Sequence, residues 1–291
     1  MSILKKLPQN GYYIVSLMGE TLQGWIVKVR DIDGNIYVIK TANKYLHDTK
    51  SSFVQGHIGL TQDNILNEYN VMEKILSLNP PNNFIKPIEM FQNDNTYFLV
   101  MEYGGKHSLI HHTSKYHKYI KKGKLSINEW QRHCQVLFYQ MITYYKYLYD
   151  IKLCHMDISL ENMVIKGVKY NKSKNKFDCD GILKFIDYGC SKFYNNYDEC
   201  LFNQFYGKYC YCSPEAFNIQ YNKGNNYYNG ILYDLWCIGI CLFIILNGKR
   251  PYNKPIINDK NFTNNIILNN YNNVSKDCSN LLNNIFKREN E

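Results

Sequence analysis

Residues 154–165 read C-H-M-D-I-S-L-E-N-M-V-I and set Asp157 and Asn162 five positions apart in a polar run. A long stretch with helical apolar spacing precedes this run, and an apolar, β-like stretch follows it. About two dozen residues on, 185–189 read F-I-D-Y-G and hold Asp187 between an apolar strand and a glycine. Two carboxylates and a carboxamide so placed are what phosphoryl transfer asks for. One carboxylate orients the attacking hydroxyl, while the Asn and the second carboxylate hold a divalent cation against phosphates. Either segment alone is a weak signal, because H-x-D and D-Y-G triplets occur by chance. Their order and spacing along the rest of the chain decide the matter.

With 291 residues, 45% apolar and 20% charged, the chain has enough material for one large core or two smaller ones joined by a hinge, and it is no disordered tail. Its ten cysteines fit reduced thiols better than a disulfide framework. Cys210 and Cys212, with Cys200 nearby, lack zinc-ligand spacing. The formal charge of +9 comes from lysines scattered among Asn and Tyr, which describes a solvated surface, so no nucleic-acid partner is expected. The first residues offer neither the apolar run of a signal peptide nor a second-position glycine for myristoylation. The most apolar stretch, 235–246, is too short to span a bilayer and suits a buried helix. No membrane partner and a cytoplasmic or nuclear location are the resulting expectations.

The elements that must position the polar residues follow from patterning. Residues 12–18, 24–30 and 36–40 read as strands, the last after a D-G turn at Asp33 and Gly34. Residues 41–60 are polar and read as an inserted loop. Apolar residues at Ile65, Leu66, Tyr69, Met72, Ile75 and Leu76 predict a helix over 63–78. Two more strands over 84–91 and 96–101 complete a five-stranded sheet with one helix. Residues 106–127, rich in Lys and His, predict a loop with one short helix and surface histidines. A helix over 128–149 then feeds into the Asp157 segment. Residues 166–181 exceed a tight hairpin and predict an exposed, mobile insertion.

In order and spacing, seven landmarks resemble those of eukaryotic protein kinases, across nearly the whole chain. The resemblance implies an α+β, bilobal kinase fold. It has a five-stranded antiparallel sheet with one main helix over 1–103, and a mostly helical lobe over 104–291. It casts Asp157 as the catalytic base, Asn162 and Asp187 as Mg²⁺ ligands, and Tyr188 as the D-F-G phenylalanine. G-E-T-L-Q-G over 19–24 resembles the glycine-rich loop over ATP, with Gly19 and Gly24 in place and Thr21 at the second glycine. Y-V-I-K over 37–40 resembles the strand whose lysine, Lys40, binds the α- and β-phosphates. Glu68 matches the helix glutamate that pairs with it, and Glu73 reads as solvated. Ile26, Val38 and Val164 would enclose adenine, with Met101, Glu102 and Tyr103 as the hinge. Residues 207–215, ending S-P-E, resemble the end of the activation segment. D-L-W-C-I-G over 234–239 matches a buried helix whose Asp234 accepts hydrogen bonds from the catalytic-loop backbone, since an unpaired Asp there would be expensive. The family pattern puts an Arg partner for Glu215 just past 291, so the chain is truncated or Glu215 is partnered otherwise.

The departures are as informative. Met156 replaces the Arg that would clamp an activation-loop phosphate. No Ser or Thr lies between Ser191 and Ser213, so activity is expected without Ser/Thr phosphorylation of that loop. Ser159 stands where serine/threonine kinases place a Lys, and Lys208 where they place a Thr. The two chemistries have exchanged positions, and Lys208 is expected to reach back beside Asp157, with Ser159 bonding the pair. No arginine of the tyrosine-kinase kind follows Asp157, which favours Ser/Thr substrates. Glu161 either attracts a basic substrate residue or is structural. The resemblance therefore implies transfer from Mg·ATP to Ser/Thr hydroxyls of a protein substrate. The alternative is a pseudokinase, a nucleotide-binding scaffold, favoured by Thr21, Met156 and Ser159.

Overall fold

Runs of β-branched and aromatic residues form β1 (Tyr13–Glu20), β2 (Trp25–Arg30) and β3 (Ile36–Asn43). A short helix α1 (Lys44–Asp48) and a hairpin of β4 (Ser51–Val54) and β5 (His57–Leu60) come next. Helix α2 (Ile65–Ser77) and strands β6 (Pro87–Gln92) and β7 (Thr96–Glu102) follow. The computed structural model describes residues 10–54, 57–167, 170–171, 176–177, 181–219, 226–269, 271 and 274–287. They fall into two units, Met1–Gly104 with Asp187–Cys190, and Gly105–Ile186 with Ser191–Glu291.

In the first unit the five long strands make one antiparallel sheet in the order β1-β2-β3-β7-β6. Tyr12, Val27, Val29, Ile39, Phe98 and Val100 form a core on it. Helix α2 starts at Asn64, whose side chain accepts the Asn67 backbone N–H. Its buried stripe is Ile65, Glu68, Val71, Met72 and Ile75, at helical period, so Glu68 carries a carboxyl into an apolar face. Glu73 is exposed. The polar loop expected over 41–60 is corrected: β3 runs on to Asn43, and the segment folds into α1 and the β4–β5 hairpin.

The second unit is largely helical. It contains α3 (Leu109–Lys121), α4 (Ile127–Asp150), β8 (Leu153–Cys154), β9 (Met163–Lys166), the paired β10 (Tyr170–Asn171) and β11 (Lys176–Phe177), and β12 (Ile182–Phe185). Then come β13 (Lys192–Phe193), β14 (Leu201–Phe202), α5 (Pro214–Asn218), β15 (Tyr228–Asn229), α6 (Gly230–Asn247), α7 (Lys260–Phe262) and α8 (Lys276–Ile285). A capping box of Ser126 and Glu129 starts α4. Apolar on every side, α6 is the core helix. It is 18 residues long, longer than the apolar stretch read from sequence, and by length and composition alone would reach across a membrane; 72% of it is buried inside the fold.

Two expectations for 106–127 are corrected. The Lys- and His-rich stretch is a 13-residue helix, because Leu109, Thr113 and Tyr116 fall on one face and are buried. Its histidines are not all on the surface. His107 and His111 are exposed, whereas the His112 ring packs tilted against Tyr116 with centroids 4.1 Å apart and lies 3.1 Å, Nε2 to Nε2, from the buried His133 of α4. Most of the insertion expected over 166–181 lies outside the described residues.

Candidate active site

Lys40 lies on β3, the central strand of the sheet, opposite Ile26 on β2 and Leu99 on β7. Such a position is dry, so its ammonium needs anions. Glu68 of α2 supplies one, accepting from Nζ at 2.7 Å, and Asp187 another at 2.9 Å. A third carboxylate, Asp63, lies 3.4 Å from Nζ through Oδ2. Burial would push the lysine pKa down, but Asp187, Asp63 and Glu68 outweigh it and hold the ammonium well above its ordinary value. Burial in turn pushes the Glu68 carboxyl up to about 7 against the pull of Lys40. Asp187 adopts a left-handed backbone, φ 68°. Helix α2 fixes the residues after it, since Asn67 Nδ2 donates to the Gly189 carbonyl at 3.1 Å. Tyr188 is fully buried and packs on Phe84.

Gly19 to Gly24 close the β1–β2 hairpin. The Thr21 N–H donates to the Gly24 carbonyl, and the Gly24 N–H donates to Thr21 Oγ1, each at 2.9 Å. A Cβ on Gly24 would strike the Thr41 carbonyl oxygen, so this glycine is required by its approach to β3. Val38 and Met101 are cross-strand partners, both buried. Glu102 ends β7, and the Lys28 ammonium lies 4.5 Å over the Tyr103 ring.

In the second unit, Asp234 on α6 accepts the backbone N–H groups of His155 and Met156 at 2.6 and 2.9 Å. This anchors the segment that presents Asp157. Met156 is fully buried with φ 67°. Asn162 Nδ2 donates to Asp157 Oδ2 at 2.7 Å and to its carbonyl at 2.9 Å. Lys208 Nζ donates to Asp157 Oδ1 and Oδ2 at 3.0 and 2.9 Å and to Ser159 Oγ at 2.9 Å. Gly207 makes this approach possible: φ is 76°, and a Cβ would lie 3.0 Å from the Met156 carbonyl oxygen and 2.6 Å from the Tyr233 hydroxyl. Val164, on β9, bridges to Ser108. Glu161 faces Arg250 at 3.4 Å, and Glu215 is exposed at the start of α5.

Divalent cations such as Mg²⁺ take oxygen donors. Asn162 commits its Nδ2 to Asp157, which turns its Oδ1 away from that carboxylate, and Asp187 offers a partly exposed carboxylate. Both are of the kind that Mg²⁺ takes. Asp63 is the residue that sequence reasoning missed. It falls outside every motif, and only the fold carries it to Lys40.

A family model described as protein kinase domain matches residues 12–291. The chain belongs to the protein kinase family. It is 26% identical over 251 residues to NUAK family SNF1-like kinase 2 of Homo sapiens, covering 84% of this chain and 32% of that protein. It is 25% identical over 285 residues to serine/threonine-protein kinase PSK1 of Saccharomyces cerevisiae, covering 98% of this chain and 18% of that protein. With a probable serine/threonine-protein kinase of Dictyostelium discoideum, fhkD, it shares 25% over 239 residues, 80% of this chain and 28% of that one. The chain thus spans about a third or less of the length of these relatives.

Proposed function

We propose that this domain transfers the γ-phosphate of Mg·ATP to Ser or Thr hydroxyls of protein substrates. The observation that carries the reading is the cluster of Asp157, Asn162, Ser159 and Lys208, held together by bonds of 2.7 to 3.0 Å. Asp157 accepts the substrate hydroxyl's hydrogen bond and aims its oxygen at the phosphorus. Lys208, pinned by Asp157 and Ser159, keeps a positive charge beside that hydroxyl, where negative charge grows in the transition state. Lys40, held ionised by its carboxylates, binds the nucleotide phosphates, beneath the turn formed by Gly19, Thr21 and Gly24. By the kinase resemblance, Ile26, Val38, Val164 and the Met101–Tyr103 hinge are the residues that would receive the adenine. Asn162 and Asp187 are the residues that would hold Mg²⁺, which would supply neutralisation of phosphate charge. The Ser/Thr preference rests on the printed names of the relatives and on the residues after Asp157. Independence from a loop phosphate rests on Met156, whose side chain is buried and uncharged.

The test is phosphate transfer from Mg·ATP to a degenerate peptide library. Asp157→Asn is expected to lose at least about two orders of magnitude in kcat/KM, and Lys208→Ala about one to three. A Lys208→Ala enzyme as active as wild type would reduce Lys208 to a surface residue. Nucleotide binding without any transfer would favour the scaffold instead.

A further inference from the structure

The Lys40 ammonium has three N–H bonds to give. Glu68 takes one at 2.7 Å and Asp187 another at 2.9 Å. The third falls to Asp63, whose two oxygens straddle Nζ at 3.4 and 3.5 Å. A nucleotide phosphate needs one of the three. We propose that Asp63 is a stand-in for that phosphate, an internal carboxylate that occupies Lys40 until ATP displaces it and so sets the affinity for ATP. The proposal rests on the reading of Lys40 as the phosphate-binding lysine.

Of the three carboxylates, Asp63 is the one placed to leave. Its contact is the longest. Glu68 is locked in the buried stripe of α2, with 1% of its side chain exposed, and Asp187 is needed for the cation. Asp63 also has somewhere to go. It lines an open cavity of about 370 Å³ together with His47, Asp48, Lys50 and Gln62, where Lys50 and Gln62 offer the freed carboxylate polar groups against one other acid, Asp48.

The place for this carboxylate is built. The Asp63 N–H donates to Thr61 Oγ1 at 3.1 Å, and the next residue, Asn64, caps α2 while its Oδ1 lies 3.0 Å from His47 Nε2. The backbone is therefore held on both sides, and the side chain alone is left to swing. On the other flank, a Cβ at Gly189 would collide with Asp63 Oδ1, so this glycine makes the room that the carboxylate fills. Electrostatics sets the direction of the effect. The carboxylates of Asp63, Glu68 and Asp187 lie within 4.8 Å of one another around one ammonium, and a polyphosphate enters as a further competitor for it.

Asp63→Asn keeps the size and removes the charge. In calorimetric titrations of the full chain, this variant is expected to bind ATP roughly 5-fold or more tightly than wild type. Adenosine, which has no phosphate, is expected to bind both proteins equally. Placed on a Lys40→Ala background, Asp63→Asn is expected to leave ATP affinity unmoved. Asp63→Ser repeats the comparison with a shorter side chain should the Asn variant fold poorly. Unchanged or weaker ATP binding overturns the proposal, and so does a gain shared equally by ATP and adenosine, which would mark a merely structural effect. A wild-type protein that binds neither ligand overturns the nucleotide site itself, and the proposal with it.

Discussion

Three carboxylates around the Lys40 ammonium leave an excess of negative charge in a pocket where Glu68 is fully buried and Asp63 and Asp187 are partly exposed. Burial pushes the Glu68 carboxyl up from the ordinary carboxylate range to about 7. A carboxyl with a raised folded-state pKa contributes stability that is present below the unfolded value and is lost as pH rises through the folded one. For activity the sign is opposite, because only ionised Glu68 holds Lys40. The kcat/KM for ATP is therefore expected to rise with pH toward a limb near 7, and Glu68→Gln, with no proton to lose, should flatten that limb in a pH–rate profile. A limb left in place by the substitution would assign it elsewhere. Met156 makes a second prediction. Its sulfur lies beside Cys154, Phe202 and Gly230, where a Cβ on Gly230 would come within 3.0 Å of it. Restoring an arginine with Met156→Arg is expected to bury an unpaired charge and cost about 3–5 kcal/mol of stability in denaturant unfolding, with no gain in activity. At this scale the sequence was informative where residue types sat at fixed spacing. The Lys40–Glu68 pair could be read from the resemblance to the kinase strand and helix motifs, and the contact of Lys208 with Asp157 and Ser159 from residue types exchanged against that pattern. Asp63 could not, because no local pattern marks an acid that meets its partner only through the fold.

The inserted segment acts at the scale of elements. The Gln23 side chain is buried, and its Nε2 donates to the carbonyls of Leu46 on α1 and Ser51 on β4, at 3.2 and 3.0 Å. The Phe53 N–H donates to the Leu22 carbonyl at 2.9 Å. The β1–β2 turn is thus tied to the hairpin, and α1 in turn is tied to α2 through His47 and Asn64. Gln23→Ala would leave two carbonyls without their donor, a loss of roughly 1–3 kcal/mol felt locally. Faster amide exchange is expected at Phe53 and across β4 and β5, with the central strands β3 and β7 unaffected. Equal acceleration in β3 would mean that Gln23 supports the whole sheet. This architecture was hidden in sequence because a short hairpin whose Phe53, Ile58 and Leu60 stay exposed buries little apolar surface and shows no strong period. Helix α3 was hidden for a related reason. Its buried stripe includes a threonine and a tyrosine among lysines and histidines, so the apolar count stays low while the period is helical.

For the whole molecule, legibility came from order. A glycine turn, a strand lysine, a helix glutamate, an H-x-D segment and a D-Y-G segment each recur by chance, but their succession fixes a sheet followed by helices. The order of strands in the sheet, β1-β2-β3-β7-β6, then sets β3 at its centre and Lys40 in a dry position. The same succession makes ligand binding a property of global stability. Any ligand bound only by the folded chain raises its unfolding free energy, by about 2.7 kcal/mol at a hundred times the dissociation constant, or very roughly 5–10 °C for a domain of this size. Saturating Mg·ATP is expected to produce such a rise in a thermal melt, and ATP with chelator a smaller one. Asp187→Asn separates the two contributions. Asn tolerates the left-handed backbone of position 187 as well as Asp does, so the fold bears the change. Losing one of three crowded carboxylates relieves their repulsion, and the melting temperature of the free variant is expected to equal or exceed that of wild type. The extra rise that Mg²⁺ adds to ATP should vanish in the same variant. If that increment survives, the cation is held without Asp187, and the assignment of this carboxylate to the metal falls while the nucleotide site stands.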